Sequence, residues 1–340
     1  MAKQLKLGTM QGFWQGAPSE NLVESAVEAE RLGYDCVFTA ESYGSDVFTP
    51  LTWIGAHTSR IRLGTGIVQI SARTPASTAM HAMSLDHLSK GRLILGLGVS
   101  GPQVVEGWYG MPFAKPLSRT REYLDVLRQI FKREGPAELA GDHYKLPYRG
   151  EGSWDQGKPL RANIHPYRSD IPIILGAEGP KNVQLAAEEC DGWMPLYYSP
   201  YRPEVYADSL KNAPDDFEVF APVSVHVSDD VEKALMPIKG MVSFYVGGMG
   251  SRKRNFHKEL MGRMGFEDEA QRIQDLFLDG KRNEALALVP DAFVDEISLV
   301  GPPDRIRDRL QAWTDSDVTH LLVGGTSLDE TRATAELVLG

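Results

Sequence analysis

The sequence predicts a (β/α)8 TIM barrel with insertions. Three observations carry that expectation. Short apolar runs of strand length recur along the chain, each followed by residues at helical spacing. Such alternation calls for parallel strands joined by right-handed crossovers. Seven or eight of these units fit within 340 residues, which favours a closed barrel over an open sheet. Neither a fixed short repeat nor a low-complexity linker divides the chain, so residues 1–340 read as one domain.

The first strand is read at Leu5–Met10, followed by a loop from Gln11 to Pro18 that carries Phe13 and Trp14. Ser19 is expected to cap a helix whose inner face holds Leu22, Ala26, Ala29 and Leu32, with Gly33 as its stop. Asp35–Ala40 is a second buried strand. A short helix from about Pro50 to Thr58 leads to a third strand, Ile61–Val68. Pro75 begins a long helix ending near Lys90 and Gly91, and Arg92–Gly98 is the fourth strand. An amphipathic helix follows at Arg121–Lys132.

The central unit runs from Ile171 to Trp193. Ile171–Leu175 fits a buried strand, Gly176 and Gly179 form a turn, and Pro180 suits a first helical turn, where its missing N–H costs nothing. Val183, Ala187 and Cys190 continue at helical spacing. Gly192 is expected to close that helix, with the next strand beginning at Trp193. A helix N-terminus reached through a glycine turn suits a phosphate, although any parallel α/β protein needs tight turns. Glu218–Val227 and His320–Gly325 complete the strands.

Two segments exceed a minimal barrel. Residues 134–170 form an irregular loop that starts on the face opposite the expected active site. Residues 247–290 form a helical insertion of two or three short helices, among them Glu269–Leu278. Loops of such length are usually functional or mobile. The basic cluster Arg252-Lys253-Arg254 is read as solvated surface rather than as a grip on an anionic tail.

Composition narrows the function. Hydrophobic residues make up 42% and charged residues 24%, enough for a sizeable core. A net charge of −10 argues against nucleic-acid or anionic-membrane partners. Cys36 and Cys190 lie in apolar runs without a Cys-x-x-Cys pair, as expected of core cysteines in a reducing cytosol. The first residues do not resemble a signal peptide, and no run reaches the roughly 18 apolar residues of a membrane span. A cytoplasmic protein acting on a small molecule is expected.

In a closed barrel the ligand sits at the C-terminal strand ends. These hold glycines and small polar residues, with neither a metal-ligand pattern nor a nucleophile elbow. Glu41 is the one carboxylate at a strand end, as a proton donor or as a backbone acceptor. His81 and His87 fall within the third helix and read as packing or surface residues. Gly96-x-Gly98-x-Ser100-Gly101 only partly matches a dinucleotide fingerprint. Backbone donors with apolar walls and no nucleophile suggest that a cofactor carries the chemistry.

Several stretches resemble the bacterial-luciferase-like superfamily. They are Arg73-Thr-Pro75, Leu85-Asp86-His87-Leu88-Ser89-Lys90-Gly91-Arg92 through Gly98, Glu28-Ala-Glu30-Arg-Leu-Gly33-Tyr-Asp35, and Gly176-Ala-Glu-Gly179-Pro180 with Asp191-Gly192-Trp193. The likeness spans nearly the whole chain and is weakest at 247–290. Within the superfamily the chain looks most like the coenzyme F420 branch, which includes methylene-tetrahydromethanopterin reductases and sugar-phosphate dehydrogenases. Val99-Ser100-Gly101-Pro102-Gln103 through Trp108 carries that subgroup likeness.

The resemblance implies a luciferase-like barrel, a homodimer and hydride transfer between the deazaflavin F420 and an organic substrate. Gly66 and Ile67 match the family's non-prolyl cis peptide behind the deazaflavin ring. Gly98, Val99 and Ser100, with Gly176, Ala177, Glu178, Gly179 and Pro180, match the segments holding the ribityl chain and phosphate. Thr39, Ala40 and Glu41 align with a second-strand site where relatives often have an acid–His pair. That pair is absent, which leaves Glu41 as the catalytic candidate. Phe13, Trp14 and Trp108 are candidates for the substrate wall. Two other functions remain open, an FMN-dependent monooxygenase on the same barrel and a non-catalytic flavin or deazaflavin binder.

Overall fold

The computed structural model describes residues 4–14, 16–325 and 327–340. Eight parallel strands close into a barrel. They are β1 (Lys6–Met10), β2 (Cys36–Thr39), β3 (Arg62–Thr65), β4 (Leu93–Gly98), β5 (Ile173–Gly176), β6 (Gly192–Met194), β7 (Glu218–Val227) and β8 (His320–Gly324). Each pairs with the next. β8 closes the ring on β1, with Lys6 opposite His320 and Met10 opposite Gly324. This is the (β/α)8 architecture expected from the alternation of elements.

Two cores follow from the period-2 alternation of the strands. Cys36, Phe38, Ile94, Ile174, Met194, Phe220 and Leu322 fill the lumen, topped by Met10 and Ile67. Leu7, Val37, Leu63, Leu93, Leu95, Ile173 and Leu175 point outward, into the layer between strands and helices. Gly8 and Gly64 make room in the lumen. A Cβ at Gly64 would lie 2.3 Å from the Phe38 ring.

Helix boundaries follow local chemistry. Thr74 caps Pro75–Ser89 through its side chain, and Lys90 ends that helix in a left-handed turn. Gly33, at φ 92°, ends Leu22–Leu32. Three expectations are corrected. Asn21, not Ser19, is the N-cap of Leu22–Leu32, and Ser19 serves through its backbone carbonyl, which accepts from Leu22 N–H. The amphipathic helix expected from Arg121 begins at Pro116, because proline supplies a ready first turn. Gly192 does not stop a helix: Pro180–Glu189 ends at Cys190, and Gly192 opens β6. A Cβ there would lie 2.5 Å from the Glu218 carbonyl oxygen, so close strand packing accounts for that glycine.

The 134–170 segment holds one small hairpin, Leu139–Ala140 with Lys145–Leu146. The helical insertion follows β7 and therefore starts at the strands' C-terminal face. It comprises Val231–Gly248, Phe256–Met261, a π-turn at Gly262–Phe266, then Glu267–Leu278, Arg282–Ala287 and Asp291–Glu296. The strand Ser298–Gly301 then pairs with the far end of β7. Among the described residues, no helix is long and apolar enough to cross a membrane.

Candidate active site at the barrel mouth

The mouth is built around a break in the third strand. β3 ends at Thr65, the Gly66–Ile67 peptide is cis, and Val68–Gln69 resumes pairing against Leu97 and Gly98 of β4. The Gly66 N–H donates to the Thr39 carbonyl at 2.7 Å. The Ile67 side chain crosses two neighbouring strand ends. A Cβ at Gly98 would lie 2.7 Å from Ile67 Cδ1, and one at Gly176 2.9 Å from Ile67 Cγ2. A Cβ at Gly66 would meet Met10 Cε at 2.8 Å. The glycines at 66, 98 and 176 thus let Ile67 and Met10 form an apolar floor.

Glu41 sits beside this floor and is 7% exposed. The Arg73 guanidinium grips both its oxygens, Nη1 to Oε1 at 2.7 Å and Nη2 to Oε2 at 2.8 Å. Oε1 also accepts from Gln69 N–H at 2.7 Å, and Oε2 from Val47 N–H at 3.3 Å. Gln69 Nε2 donates to the Glu41 carbonyl at 3.1 Å. Burial alone would lower the Arg73 pKa, but the hydrogen bonds and charge of Glu41 more than offset it and raise it. Glu41 therefore ties the segment after the cis peptide to the end of β2. Thr39 is buried, its hydroxyl donating to the Val47 carbonyl at 2.8 Å.

The loop that leaves the fourth strand passes through a left-handed residue. Ser100 has φ 59°, a conformation uncommon outside glycine, asparagine and aspartate. Beyond it, Trp108 is exposed, and Tyr109 donates its hydroxyl to the Ser42 carbonyl at 3.2 Å, tying the β4 loop to the β2 loop. Phe13 packs near Gly44. Trp14 instead turns to the barrel's flank, in a crevice with Leu22, Phe48, Trp53 and His81. The Trp14 ring is thus separated from the floor made by Ile67.

The fifth strand supplies an anion-ready end. Pro180–Glu189 begins at Gly179 with no side-chain cap. Gly179 has ordinary φ, and a Cβ there would meet nothing within 4 Å. Neither strain nor protein packing requires that glycine, so the space in front of the helix is left open. Ala177 is buried and its carbonyl accepts from Trp193 Nε1 at 2.8 Å. Glu178 turns into the helical insertion. Its Oε2 lies 2.8 Å from His257 Nδ1, and its carbonyl accepts from Arg263 at 2.6 Å.

With this geometry in hand, two comparisons decide the family. The luciferase-like monooxygenase family model matches residues 4–320. The "Putative coenzyme F420-dependent oxidoreductase" of Mycobacterium tuberculosis is 48% identical over 347 residues, spanning 99% of this chain and 100% of that protein. The chain belongs to the luciferase-like family. A 5,10-methylenetetrahydromethanopterin reductase of Methanolobus tindarius is 30% identical over 322 residues, 92% of each chain. The solved coenzyme F420-dependent tetrahydromethanopterin reductase of Methanopyrus kandleri shares the fold with a TM-score of 0.79. It covers 98% of this chain and 97% of that one at 24% identity.

Most residues singled out in the sequence of this luciferase-like chain thus gather on one face, Trp14 apart. Sequence reasoning missed the Glu41 partners Gln69 and Arg73, although Arg73 lay within a quoted motif. It also missed His257 and Arg263. These lie where the family likeness is weakest, and nothing in their spacing signals that the insertion folds back onto β5.

Proposed function

We propose that this luciferase-like protein is a coenzyme F420-dependent oxidoreductase that moves a hydride between the deazaflavin and a small organic substrate. The observation that carries the reading is the open helix end at Gly179–Pro180, next to the apolar floor of Ile67 and Met10. A flat ring joined to a phosphate-bearing chain needs both. The helix end offers unpaired N–H groups and a partial positive charge to a phosphate. Glu178 does not oppose that charge unpaired, since its carboxylate is engaged by His257. The mycobacterial relative, by its name, favours F420 over FMN.

When bound, the deazaflavin supplies the carbon that accepts or releases hydride. The chain's own residues position and exclude water. Ile67 and Gly66 support the ring from behind. Thr39, Ala40, Gly98, Val99 and Ser100 border it, and Gly176 to Pro180 hold the phosphate-bearing chain. Glu41 acts by fixing residues 69–73 rather than by exchanging a proton, because all its contacts are structural. Phe13 and Trp108 flank the substrate side. Holding two reactants in register converts an encounter into a local step, a gain of roughly 7–11 kcal/mol at best.

The test is a fluorescence titration of the purified apo-protein with F420 and FMN in parallel. Tight F420 binding with weak FMN binding is expected. Preference for FMN would overturn the reading in favour of a monooxygenase. F420 binding without turnover of any acceptor would leave a binding protein.

A homodimer belongs to the same proposal. Trp53 on Phe48–His57 is exposed, as are Met80 and Leu88 along one stripe of the adjacent Pro75–Ser89. Light scattering should give twice the mass of 37.6 kDa, and Leu88→Glu should shift the population toward monomer.

A further inference from the structure

We infer that the crevice beside Arg119 binds one monatomic halide, with chloride as the common case, as the counter-ion of a buried guanidinium. Arg119 lies close to the start of helix Pro116–Lys132 and is 7% exposed. A charge so deeply buried is costly unless it is paired. Among the described residues Arg119 has no ion-pair partner. The carboxylates near it are committed elsewhere. Glu122 accepts from the N–H groups of Asp142, His143 and Tyr144, and Asp142 pairs with Lys115 at 3.5 Å.

The groups that do meet Arg119 are neutral. Its Nη1 donates to the Pro112 carbonyl at 2.9 Å and to Ser71 Oγ at 3.4 Å. Its Cζ lies 5.9 Å from the centre of the Tyr144 ring. Nε is buried and has no hydrogen-bond partner among the described residues. The positive charge is therefore solvated in part and compensated by nothing.

The crevice supplies what an anion needs. Arg119, Ser71 and Pro116 line it, with Ile70, Val99 and Phe113 as apolar walls. Ser71 Oγ accepts from Arg119, which leaves its hydroxyl proton to donate. The helix begins at Pro116 without a side-chain cap, so its positive end borders the same space. A guanidinium N–H, a hydroxyl and a helix end thus converge. The size of the space selects the ion. It has room for about one water-sized sphere. A halide fills such a space and accepts from every side. Phosphate, sulfate and carboxylates carry several oxygens and do not fit. A water molecule would satisfy Nε but would leave the charge uncompensated. Ile70 and Val99 directly follow the Gln69–Gly98 pair at the end of β4, so the ion would brace the wall of the mouth.

The test compares thermal unfolding of the purified protein in sodium chloride and in sodium gluconate at equal ionic strength. An ion that binds only the folded chain raises Tm with its concentration. Chloride at roughly 100 mM should raise Tm by about 2 °C over gluconate. Arg119→Gln should abolish that difference. Should Arg119→Gln fail to fold, Ser71→Ala serves instead. It removes one neutral hydrogen bond and should move the chloride midpoint upward by about threefold or more. Crystals grown without halide and soaked in bromide should give an anomalous peak at hydrogen-bond distance from Arg119 Nε and Ser71 Oγ. Equal Tm in the two salts overturns the site, as does an undiminished chloride effect in the variant. An ordered water in place of the bromide overturns it too. A bromide peak without a thermal effect shows binding at crystal concentration only and has the same consequence. Loss of the peak on adding F420 or FMN gives the crevice to the cofactor, which overturns the halide assignment and leaves the cofactor reading standing.

Discussion

Arg73 and Glu41 form a bidentate ion pair whose two contacts, 2.7 and 2.8 Å, span the ends of the second and third strands. The Glu41 side chain is 3% exposed and that of Arg73 16%. A pair this buried gives little net stability over an apolar substitute, yet removal of one member is costly. Arg73→Met would leave a buried carboxylate with backbone partners only. We expect a loss of about 3–5 kcal/mol in urea unfolding at pH 7. Glu41→Gln combined with Arg73→Met should recover part of it. A single-variant loss under about 1 kcal/mol would show that the carboxylate reaches solvent.

Gly179 separates folding from cofactor binding. Its φ suits any residue and its Cβ direction is empty. Gly179→Leu should therefore leave apo stability within about 0.5 kcal/mol. The same change should block the helix end and weaken F420 binding by at least about tenfold, or 1.4 kcal/mol. Fluorescence titration measures this. Unaltered affinity would place the phosphate elsewhere.

The opposite end of the barrel predicts the acid limb of stability. Arg62 reaches Glu218 at 2.9 Å, Asp35 at 2.5 Å and His320 Nε2 at 2.9 Å. The Thr319 hydroxyl donates to the Val219 carbonyl, so it accepts from His320 Nδ1–H, and Nε2 accepts from Arg62. His320 is thus buried neutral, and burial lowers its pKa. The unfolded chain takes up that proton first, so stability falls as pH drops below about 6.5 toward the folded value. Burial would raise the Asp35 pKa, but the Arg62 guanidinium beside it holds it well below the carboxylate range. Its contribution is present above about pH 4 and lost as pH falls further. Wild-type protein should be less stable at pH 5.5 than at 7.5, and His320→Gln should flatten that interval. Equal slopes in both proteins would remove His320 as the cause.

Ser100 tests whether conformational cost is stored at the mouth. A non-glycine residue in the left-handed region costs about 1 kcal/mol or more. Ser100→Gly should raise unfolding stability by about that amount less the entropy glycine loses on folding, leaving a small net gain. F420 affinity should fall if the hydroxyl meets the cofactor. A destabilised variant would mean that the hydroxyl makes a contact worth more than the strain.

The barrel was legible because each strand is a short buried run and each helix keeps an apolar face, two periods that local sequence displays directly. Glycines told less. Gly192 reads as a helix stop in one dimension, but the Glu218 carbonyl that excludes a side chain there belongs to a strand distant in sequence. Glu41 was found at its strand end. Its task was hidden because a whole helix and a strand separate it from Arg73 in sequence. His257 was invisible for the same reason on a larger scale, since its partner Glu178 is 79 residues away. Residues that meet only through a folded insertion leave no periodic trace.

The Ile67 side chain occupies volume that Gly98 and Gly176 forgo, so these three positions share one ration of space. Alanine at either glycine would require a shorter side chain at 67. A smaller residue at 67 alone would leave a hollow beneath the mouth. Drift among descendants of this chain should therefore change the three together, and attempts to reshape the floor by substituting one of them will meet resistance from the other two.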